Sequence, residues 1–279
     1  MPSYLSYSQL ALYLECPLRY KLRYLEEGGY GDEKVPAALV FGSAIHKALA
    51  WFYRQAMDGE PFSLTGFLEA FAEAWEAEVG RQEIAFEKGE DSTSLLALGQ
   101  EMLRVFARSA HPQRVIAVEV PFEFKLEHPQ SGEEFRIPIK GVIDLIEEDE
   151  TGTLWVVDHK TAGRAYTDAQ IAGDLQMLIY AAAVKQLDVV EGRGVMLRLD
   201  VLTKTKHPQL LRYAMYRGER DIARLYEIVE GIWRAIEAEA FYPRCCISTR
   251  WGRVHEDCVG GAKQLPIDEG RLTLTKTVC

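Results

Sequence analysis

The chain has 279 residues, of which 48% are hydrophobic and 27% are charged, so it holds enough apolar material for a core that needs no disulfides. Its net charge of −10, from 42 acidic and 32 basic residues, argues against a protein that coats nucleic acid through bulk positive charge, but it is compatible with an enzyme that gathers carboxylates around metal ions. No uninterrupted apolar run reaches about 18 residues and the N-terminus does not resemble a secretory signal, so we expect a cytoplasmic protein with no membrane partner.

The N-terminal segment predicts two short helices. Ser6 and Gln9 have the spacing of a capping box, which starts a helix, and Pro17 separates this helix from the next. The second helix carries three basic residues beside tyrosines, namely Arg19, Lys21 and Arg23. Such a strip is more commonly the polar face of a surface helix, whereas its functional interpretation is contact with a DNA backbone.

Helical periodicity continues to about residue 110. Apolar residues predict a helix from about 41 to 57, with His46 in its first turns, and two more at roughly 67–87 and 92–109. We interpret residues of about 43–112 as a helical insertion within a single domain that spans the chain.

The pattern changes to strands at Val115. Residues of about 115–128 alternate as in a strand, and turns lead from it into two further strands at about 135–149 and 154–162, so that the three form a meander. The predicted elements after them are a helix over about 168–187, a strand over 195–204 and a helix over 218–239.

The second and third of these strands carry charged residues inside apolar sequence. Asp144 follows Gly141-Val-Ile, and Asp158 and Lys160 lie in Val-Asp-His-Lys. Carboxylates on neighbouring strands could hold a divalent ion, which phosphodiester hydrolysis requires. Side chains two apart on a strand share a face, so Lys160 would lie beside that ion and could orient water or offset negative charge. The structural alternative is that the two carboxylates only end strands and that Lys160 pairs with one of them. An unpaired charge in an apolar strand is costly, however, so charges kept in such positions are more often functional or closely paired.

In this order the motifs resemble the RecB-type branch of the PD-(D/E)XK nucleases, which includes nuclease modules of recombination helicases and CRISPR adaptation nucleases. The matching segments, within residues 3–246, are FGSAIHKAL, GVID, WVVDHKTA and the spacing of Gln176 and Tyr180. The resemblance implies an α/β fold with a restriction-endonuclease-like core, in which a central mixed sheet is flanked by helices.

The resemblance also implies roles for individual residues. The metal ligands would be His46, Asp144, Asp158 and the backbone carbonyl of His159, and the ion would be Mg²⁺ or Mn²⁺. Lys160 would be the catalytic lysine. Gln176 and Tyr180 would contact this lysine or DNA from a shared helix face, whereas without the resemblance they and His46 would be ordinary structural residues. Glu119 could add a carboxylate, although we interpret it as structural.

Many members of this branch hold a 4Fe–4S cluster through one N-terminal and three C-terminal cysteines. Cys16 fits the first position, and the segment of about 241–279 supplies Cys245, Cys246 and Cys258 without the usual Cys-x-x-Cys pair. His255 or Cys279 could be the missing ligand, and the alternative is that these cysteines are ordinary thiols.

We therefore expect a Mg²⁺- or Mn²⁺-dependent exodeoxyribonuclease that acts on single strands or DNA ends, in repair, recombination, or phage or CRISPR-related processing. A helicase or recombination protein would be its partner, since the sequence has no P-loop. One alternative is a catalytically silent DNA-binding module, although the intact Asp144, Asp158 and Lys160 speak against it. Another is a hydrolase of small phosphate esters, which would not explain the basic strip.

Overall fold

Two helices, α1 (Tyr7–Glu15) and α2 (Pro17–Tyr24), begin the chain in the computed structural model, which describes residues 1–26, 34–109, 114–187, 190 and 193–244. Ser6 caps α1 by accepting a hydrogen bond of 3.3 Å from the backbone N–H of Gln9. Pro17 starts α2 at a position where the missing N–H would have had no helical partner.

Three longer helices form a layer on one side of the molecule. They are α3 (Ala37–Met57), α4 (Leu64–Arg81) and α5 (Ser92–Ser109), and the short strands β1 (Val35–Pro36) and β2 (Ile84–Ala85) pair between them. Aromatic residues join the helices: the ring of Phe41 makes edge contacts with Phe71 at 5.9 Å and with Trp75 at 6.1 Å. These contacts pack α3 into an apolar core between the other two helices and the sheet.

The centre of the molecule is a five-stranded mixed sheet. Its strands, in spatial as well as chain order, are β3 (Arg114–Phe124), β4 (Ile139–Glu148), β5 (Leu154–Ala162), β6 (Val195–Thr203) and β7 (Leu210–Met215). Only β5 and β6 are parallel among these neighbours, the other pairs being antiparallel. A parallel pair needs a crossover connection, which α6 (Asp168–Ala172) and α7 (Leu175–Ala183) supply, and α8 (Glu219–Glu237) follows β7.

The sheet separates two apolar cores. Val157 and Leu202 belong to the core under α3, α4 and α5, whereas Val156 and Leu199 belong to the core that contains residues of α1, α7 and α8. Because successive side chains on a strand point to opposite faces, neighbouring residues of β5 contribute to different cores. This alternation decides which layer each residue of the Asp-His-Lys motif meets.

The predicted α/β class with a central mixed sheet and flanking helices is confirmed. The single helix predicted over 168–187 is wrong, since it is divided at Gly173, where Asp174 caps α7 by accepting from the N–H of Met177 at 3.0 Å. The helix predicted to reach residue 87 ends at Arg81, and β7 was not predicted. The division of the chain into one domain with an insertion stays a prediction.

Across the described residues, every helix is too short or too polar to traverse a lipid bilayer.

The turn between β4 and β5 is organised by the carboxylate of Asp149. It accepts hydrogen bonds from the N–H groups of Thr151 (2.9 Å) and Thr153 (3.0 Å) and from the indole of Trp155 (2.8 Å). The hydroxyl of Thr151 donates to it at 2.6 Å as well. These bonds, led by that of Thr151, lower the pKa of Asp149 from 3.8 to about 2.

We predict that Asp149→Ala lowers the free energy of unfolding and that this loss depends on pH. A carboxylate whose folded pKa is depressed stabilises the protein above its unfolded pKa of 3.8, and the stabilisation disappears as the pH falls through about 2. Urea unfolding across this range should show the variant and the wild type converging at low pH. The control is Glu150→Ala, an exposed acid in the same turn, and a constant difference between Asp149→Ala and the wild type would contradict the assignment.

Candidate active site

Three nitrogen atoms converge on one oxygen of Asp144, in the middle of β4. The backbone N–H of His159 donates to Oδ2 at 2.8 Å, the Nδ1 of His46 lies 3.2 Å from the same atom, and the Nδ1 of His159 lies at 3.5 Å. Burial alone would raise the pKa of Asp144, but the interactions with His159 and His46 outweigh it and lower the pKa. The carboxylate is thus kept ionised in a largely buried position.

Asp158 and Lys160 form an ion pair on the face of β5 opposite to the side chain of His159. The ammonium of Lys160 is 2.8 Å from Oδ2 of Asp158, whose side chain is fully buried. Burial raises the pKa of Asp158 despite the attraction of Lys160, and the negative charge of Asp144 raises it further. For Lys160 the charge partner outweighs burial. Burial would lower the pKa of this lysine, but Asp158 raises it above the usual 10.5. The lysine is therefore a permanent cation beside this carboxylate.

Lys160 is held by a chain of hydrogen bonds that passes through α7. Its ammonium donates to Oε1 of Gln176 at 2.5 Å, and the amide nitrogen of Gln176 donates to the hydroxyl of Tyr180 at 2.9 Å. The hydroxyl of Tyr180 donates to the carbonyl of Val142 on β4 at 2.6 Å and lies 3.4 Å from Oδ1 of Asp158. Tyr180 is only 2% exposed, so its position ties α7 to β4 rather than offering a surface to DNA.

A comparison with known protein families identifies the superfamily of the chain. The sequence profile of the PD-(D/E)XK nuclease superfamily matches residues 4–246. The chain belongs to this superfamily.

One solved structure agrees with this chain on the fold. A candidate exonuclease of Eubacterium rectale superposes with a TM-score of 0.51 at 16% identity, covering 99% of this chain and 91% of its own. The protein SSO0001 gives a TM-score of 0.33 at 14% identity, covering 80% of this chain and 82% of its own, which is too low to support an argument. No curated protein sequence matches the chain significantly. The PD-(D/E)XK assignment thus rests on the superfamily profile, and the first structure supports the fold alone.

A pocket opens between α3 and the sheet of this PD-(D/E)XK protein. Its lining consists of residues from α3 and from three strands: His46, Ala50, Tyr53, Glu119, Asp144 and His159. Glu119 lies across from Asp144, because its neighbours Val118 and Val120 pair with Leu145 and Ile143. Its backbone has a φ of 51°, and its carboxylate pairs with Arg54. Glu119, which we interpreted as structural, therefore lies at the pocket.

The donors at this site fit a divalent cation of the kind that PD-(D/E)XK nucleases generally use. Carboxylate oxygens are the ligands that Mg²⁺ and Mn²⁺ prefer, and the Oδ2 of Asp144 is close to three nitrogen atoms of the protein. In the described part of the chain, however, no three His, Cys, Asp or Glu side chains are arranged around a common point. The fit is therefore one of donor chemistry, with the carboxylates engaged by protein groups.

The basic strip of α2 is partly engaged by the protein itself. Arg19 pairs with Glu15 at 2.8 Å and its side chain is 15% exposed, while Lys21 lies 3.6 Å from Glu26. Arg23 is exposed, with its guanidinium 5.9 Å from the ring of Tyr24. Lys21 and Arg23 thus offer more accessible charge than Arg19, and DNA binding by this strip stays a prediction.

Of the predicted cluster ligands, only Cys16 lies within the described residues. It is buried, and the backbone N–H of Arg244 donates to its sulfur at 3.5 Å. The others, Cys245, Cys246 and Cys258 with the alternatives His255 and Cys279, lie outside the described residues. The 4Fe–4S cluster therefore stays a prediction.

Sequence reasoning missed two groups beside the site. Arg54 follows His46 by eight residues on α3, a spacing that places both on one helix face and could have been noticed. Tyr7 lies with its ring centroid 5.6 Å from the ammonium of Lys160, a contact between α1 and β5 that no local pattern reveals.

Packing explains why a glycine stands at position 141, the first residue of the Gly-x-x-Asp motif. A Cβ at Gly141 would lie 2.4 Å from the ring of Phe122, the residue opposite it on β3. That ring makes an edge contact with Tyr180 at 6.0 Å. The absence of a side chain at position 141 thus lets Phe122 support the hydrogen-bonded tyrosine.

We predict that Gly141→Ala destabilises the protein by about 1–3 kcal/mol, the usual cost of overpacking, and reduces nuclease activity because Phe122 and Tyr180 are displaced. Urea unfolding and DNA cleavage would be measured together. Gly42→Ala is the control, since its Cβ would meet Thr161 at an ordinary 3.7 Å and alanine is the better helix former. Equal stability of Gly141→Ala and the wild type would refute the packing argument.

Proposed function

We propose that the chain is a Mg²⁺- or Mn²⁺-dependent exodeoxyribonuclease that hydrolyses phosphodiester bonds of single-stranded DNA or DNA ends. The observation that carries the proposal is the ion pair of Asp158 with Lys160, which a chain of hydrogen bonds through Gln176 and Tyr180 continues to the backbone of β4. Neutralising the charge of Asp158 would require only that the lysine be nearby. The additional hydrogen bond to Gln176 also fixes the direction of its ammonium group. Such preorganisation is what electrostatic catalysis needs.

The metal ligands we propose are His46, Asp144, Asp158 and the backbone carbonyl of His159. A divalent ion at this position would activate water and offset negative charge on the phosphate. The role of the protein is to keep the carboxylate of Asp144 ionised and oriented, and the interactions of His159 and His46 with Asp144 do so.

Lys160 has the role of a fixed cation in this proposal. Its ammonium orients the attacking water or stabilises the negative charge that develops on the phosphate. Gln176 and Tyr180 act as positioning residues, because Tyr180 is buried and Gln176 is bonded to the lysine. Lys21 and Arg23, the more accessible cations of α2, would contact the DNA backbone together with Arg19.

The setting we propose is cytoplasmic DNA repair, recombination, or phage or CRISPR-related processing. A helicase or recombination protein is the partner class, since the sequence has no P-loop motor of its own. The proposed 4Fe–4S cluster, on Cys16, Cys245, Cys246 and Cys258, would join the start and end of the chain. The nuclease proposal does not depend on it.

The deciding experiment uses labelled DNA in linear and circular, single- and double-stranded forms, with Mg²⁺, Mn²⁺ or EDTA. We expect linear DNA to be degraded to small products, circular DNA to resist, and EDTA to stop the reaction. Binding without cleavage in any metal would indicate a silent DNA-binding module. Cleavage of small phosphate esters but not of DNA would indicate a hydrolase of small phosphate esters.

We predict that Asp144→Asn and Asp158→Asn each reduce cleavage below detection while the protein remains folded. Each substitution removes a proposed ligand charge but keeps the size of the side chain. Cleavage, metal binding by calorimetry and thermal unfolding would be compared. Asp58→Asn, an exposed residue after α3, is the matched control, and full activity of either site variant in metal-supplemented buffer would reject the ligand assignment.

We predict that Lys160→Met lowers turnover by about 10²–10³-fold, the cost of losing one electrostatic stabiliser, with little change in metal affinity. The variant also leaves Asp158 without its buried partner, a loss of roughly 3–5 kcal/mol in stability. The exposed pair of Lys47 and Glu78 provides the control, since Lys47→Met should change stability by no more than about 1 kcal/mol. Normal turnover in Lys160→Met, or a defect explained entirely by lost metal binding, would contradict the role.

A further inference from the structure

We propose that Tyr7, Tyr166 and Tyr213 form a stacking platform for unpaired nucleobases next to Lys160. The inference rests on the proposed function, since it names the part of a single-stranded DNA substrate that this face of the protein would bind. The three residues are referred to below as the tyrosine platform.

The tyrosine platform comes from three separate parts of the chain that meet beside the site. Tyr7 belongs to α1, Tyr166 follows β5, and Tyr213 lies on β7, and all three pack against the core that also contains Tyr180. The ring of Tyr7 is 5.6 Å from the ammonium of Lys160. The rings of Tyr166 and Tyr213 are stacked, with centroids 6.5 Å apart and planes inclined by 20°.

The strand register gives the distance from the platform to the site. Asp158 pairs with Leu199, and Leu199 pairs with Tyr213, so these three residues form one row across the sheet. Two strand spacings separate the backbones of Asp158 and Tyr213, which is about 10 Å. Tyr7, through its contact with Lys160, and Tyr213, through this register, therefore both lie close to the pair of Asp158 and Lys160.

Tyr7, Tyr166 and Tyr213 are each partly buried residues. The buried part of such a residue holds it in place, and the accessible part remains for a ligand. Bases of an intact duplex are already paired and stacked, whereas an unpaired base exposes its face to aromatic side chains. The chemistry of the platform thus selects single-stranded DNA.

The charge of the protein favours stacking over phosphate contacts as the source of binding. With a net charge of −10, the chain gains little from long-range attraction of a polyanion. Stacking of bases on tyrosines does not depend on net charge. Arg164, which is exposed two residues before Tyr166, supplies a local cation for the backbone of the same strand.

The competing explanation is that the tyrosines only pack against the core. Phenylalanine and leucine separate the two: both preserve apolar packing, but only phenylalanine preserves a stacking face. An abasic oligonucleotide makes the same distinction on the DNA side, since it keeps the phosphates and lacks the bases.

The experiment measures fluorescence anisotropy of labelled oligothymidylate of about 12 nucleotides and of an abasic strand of equal length, in EDTA to prevent cleavage. Tyr7→Phe, Tyr7→Leu, Tyr166→Phe and Tyr166→Leu are compared with the control Tyr216→Leu, an exposed tyrosine just after β7. We expect each leucine variant to bind oligothymidylate at least about fivefold more weakly, with phenylalanine variants and the control near wild type. Binding of the abasic strand should be the same for all variants.

Leucine variants that bind oligothymidylate as the wild type does, or that lose the abasic strand equally, would overturn the platform. Should the leucine variants unfold, the wild type alone decides, because it must still prefer oligothymidylate over the abasic strand by about fivefold. Ring-dependent binding without cleavage in any metal would reject the nuclease proposal and keep the platform. Cleavage that is indifferent to the rings would reject the platform alone.

Discussion

The fully buried carboxylate of Asp158 imposes a sequence of requirements on the residues around it. An unpaired charge in this position would cost several kcal/mol, and Lys160 offsets it at 2.8 Å. The lysine is itself largely buried and needs an acceptor, which Gln176 provides. Tyr180 then accepts from the amide of Gln176 and donates to the carbonyl of Val142. One buried charge therefore fixes α7 against both β4 and β5.

β5 connects this chain of hydrogen bonds to a second, different environment. Because side chains alternate along a strand, His159 points away from Asp158 and toward the helical layer, where its ring lies 5.5 Å from Tyr53 and 6.1 Å from Phe106. Its backbone N–H still reaches Asp144. Three consecutive residues thus couple the two faces of the sheet, so the position of the lysine and the position of the Asp144 carboxylate depend on the same strand.

The sequence pattern predicted the elements correctly where the interactions that form them join residues close together in the chain. The strand predicted over 154–162 coincides with β5, because its apolar run begins just after the turn at Gly152. The alternation of side chains along a strand predicted that Asp158 and Lys160 share a face, and both reach α7. The break at Gly173 and Asp174 was missed because the apolar spacing continues through it. The ion pair of Arg54 with Glu119 joins residues 65 positions apart, and no periodicity encodes such a contact.

The two faces of β5 also suggest how the site divides its work. On the helical side, donors from His46 and His159 meet Asp144 in a pocket that Glu119 also lines, a setting suited to a cation. On the other side, a lysine is fixed next to accessible tyrosines, a setting suited to a strand of DNA. The proposed ligands His46 and Asp144 are supported from the helical side, whereas the proposed ligand Asp158 lies on the other side and shares an ion pair with Lys160. Both sides share β5, whose register sets the distance between the two settings.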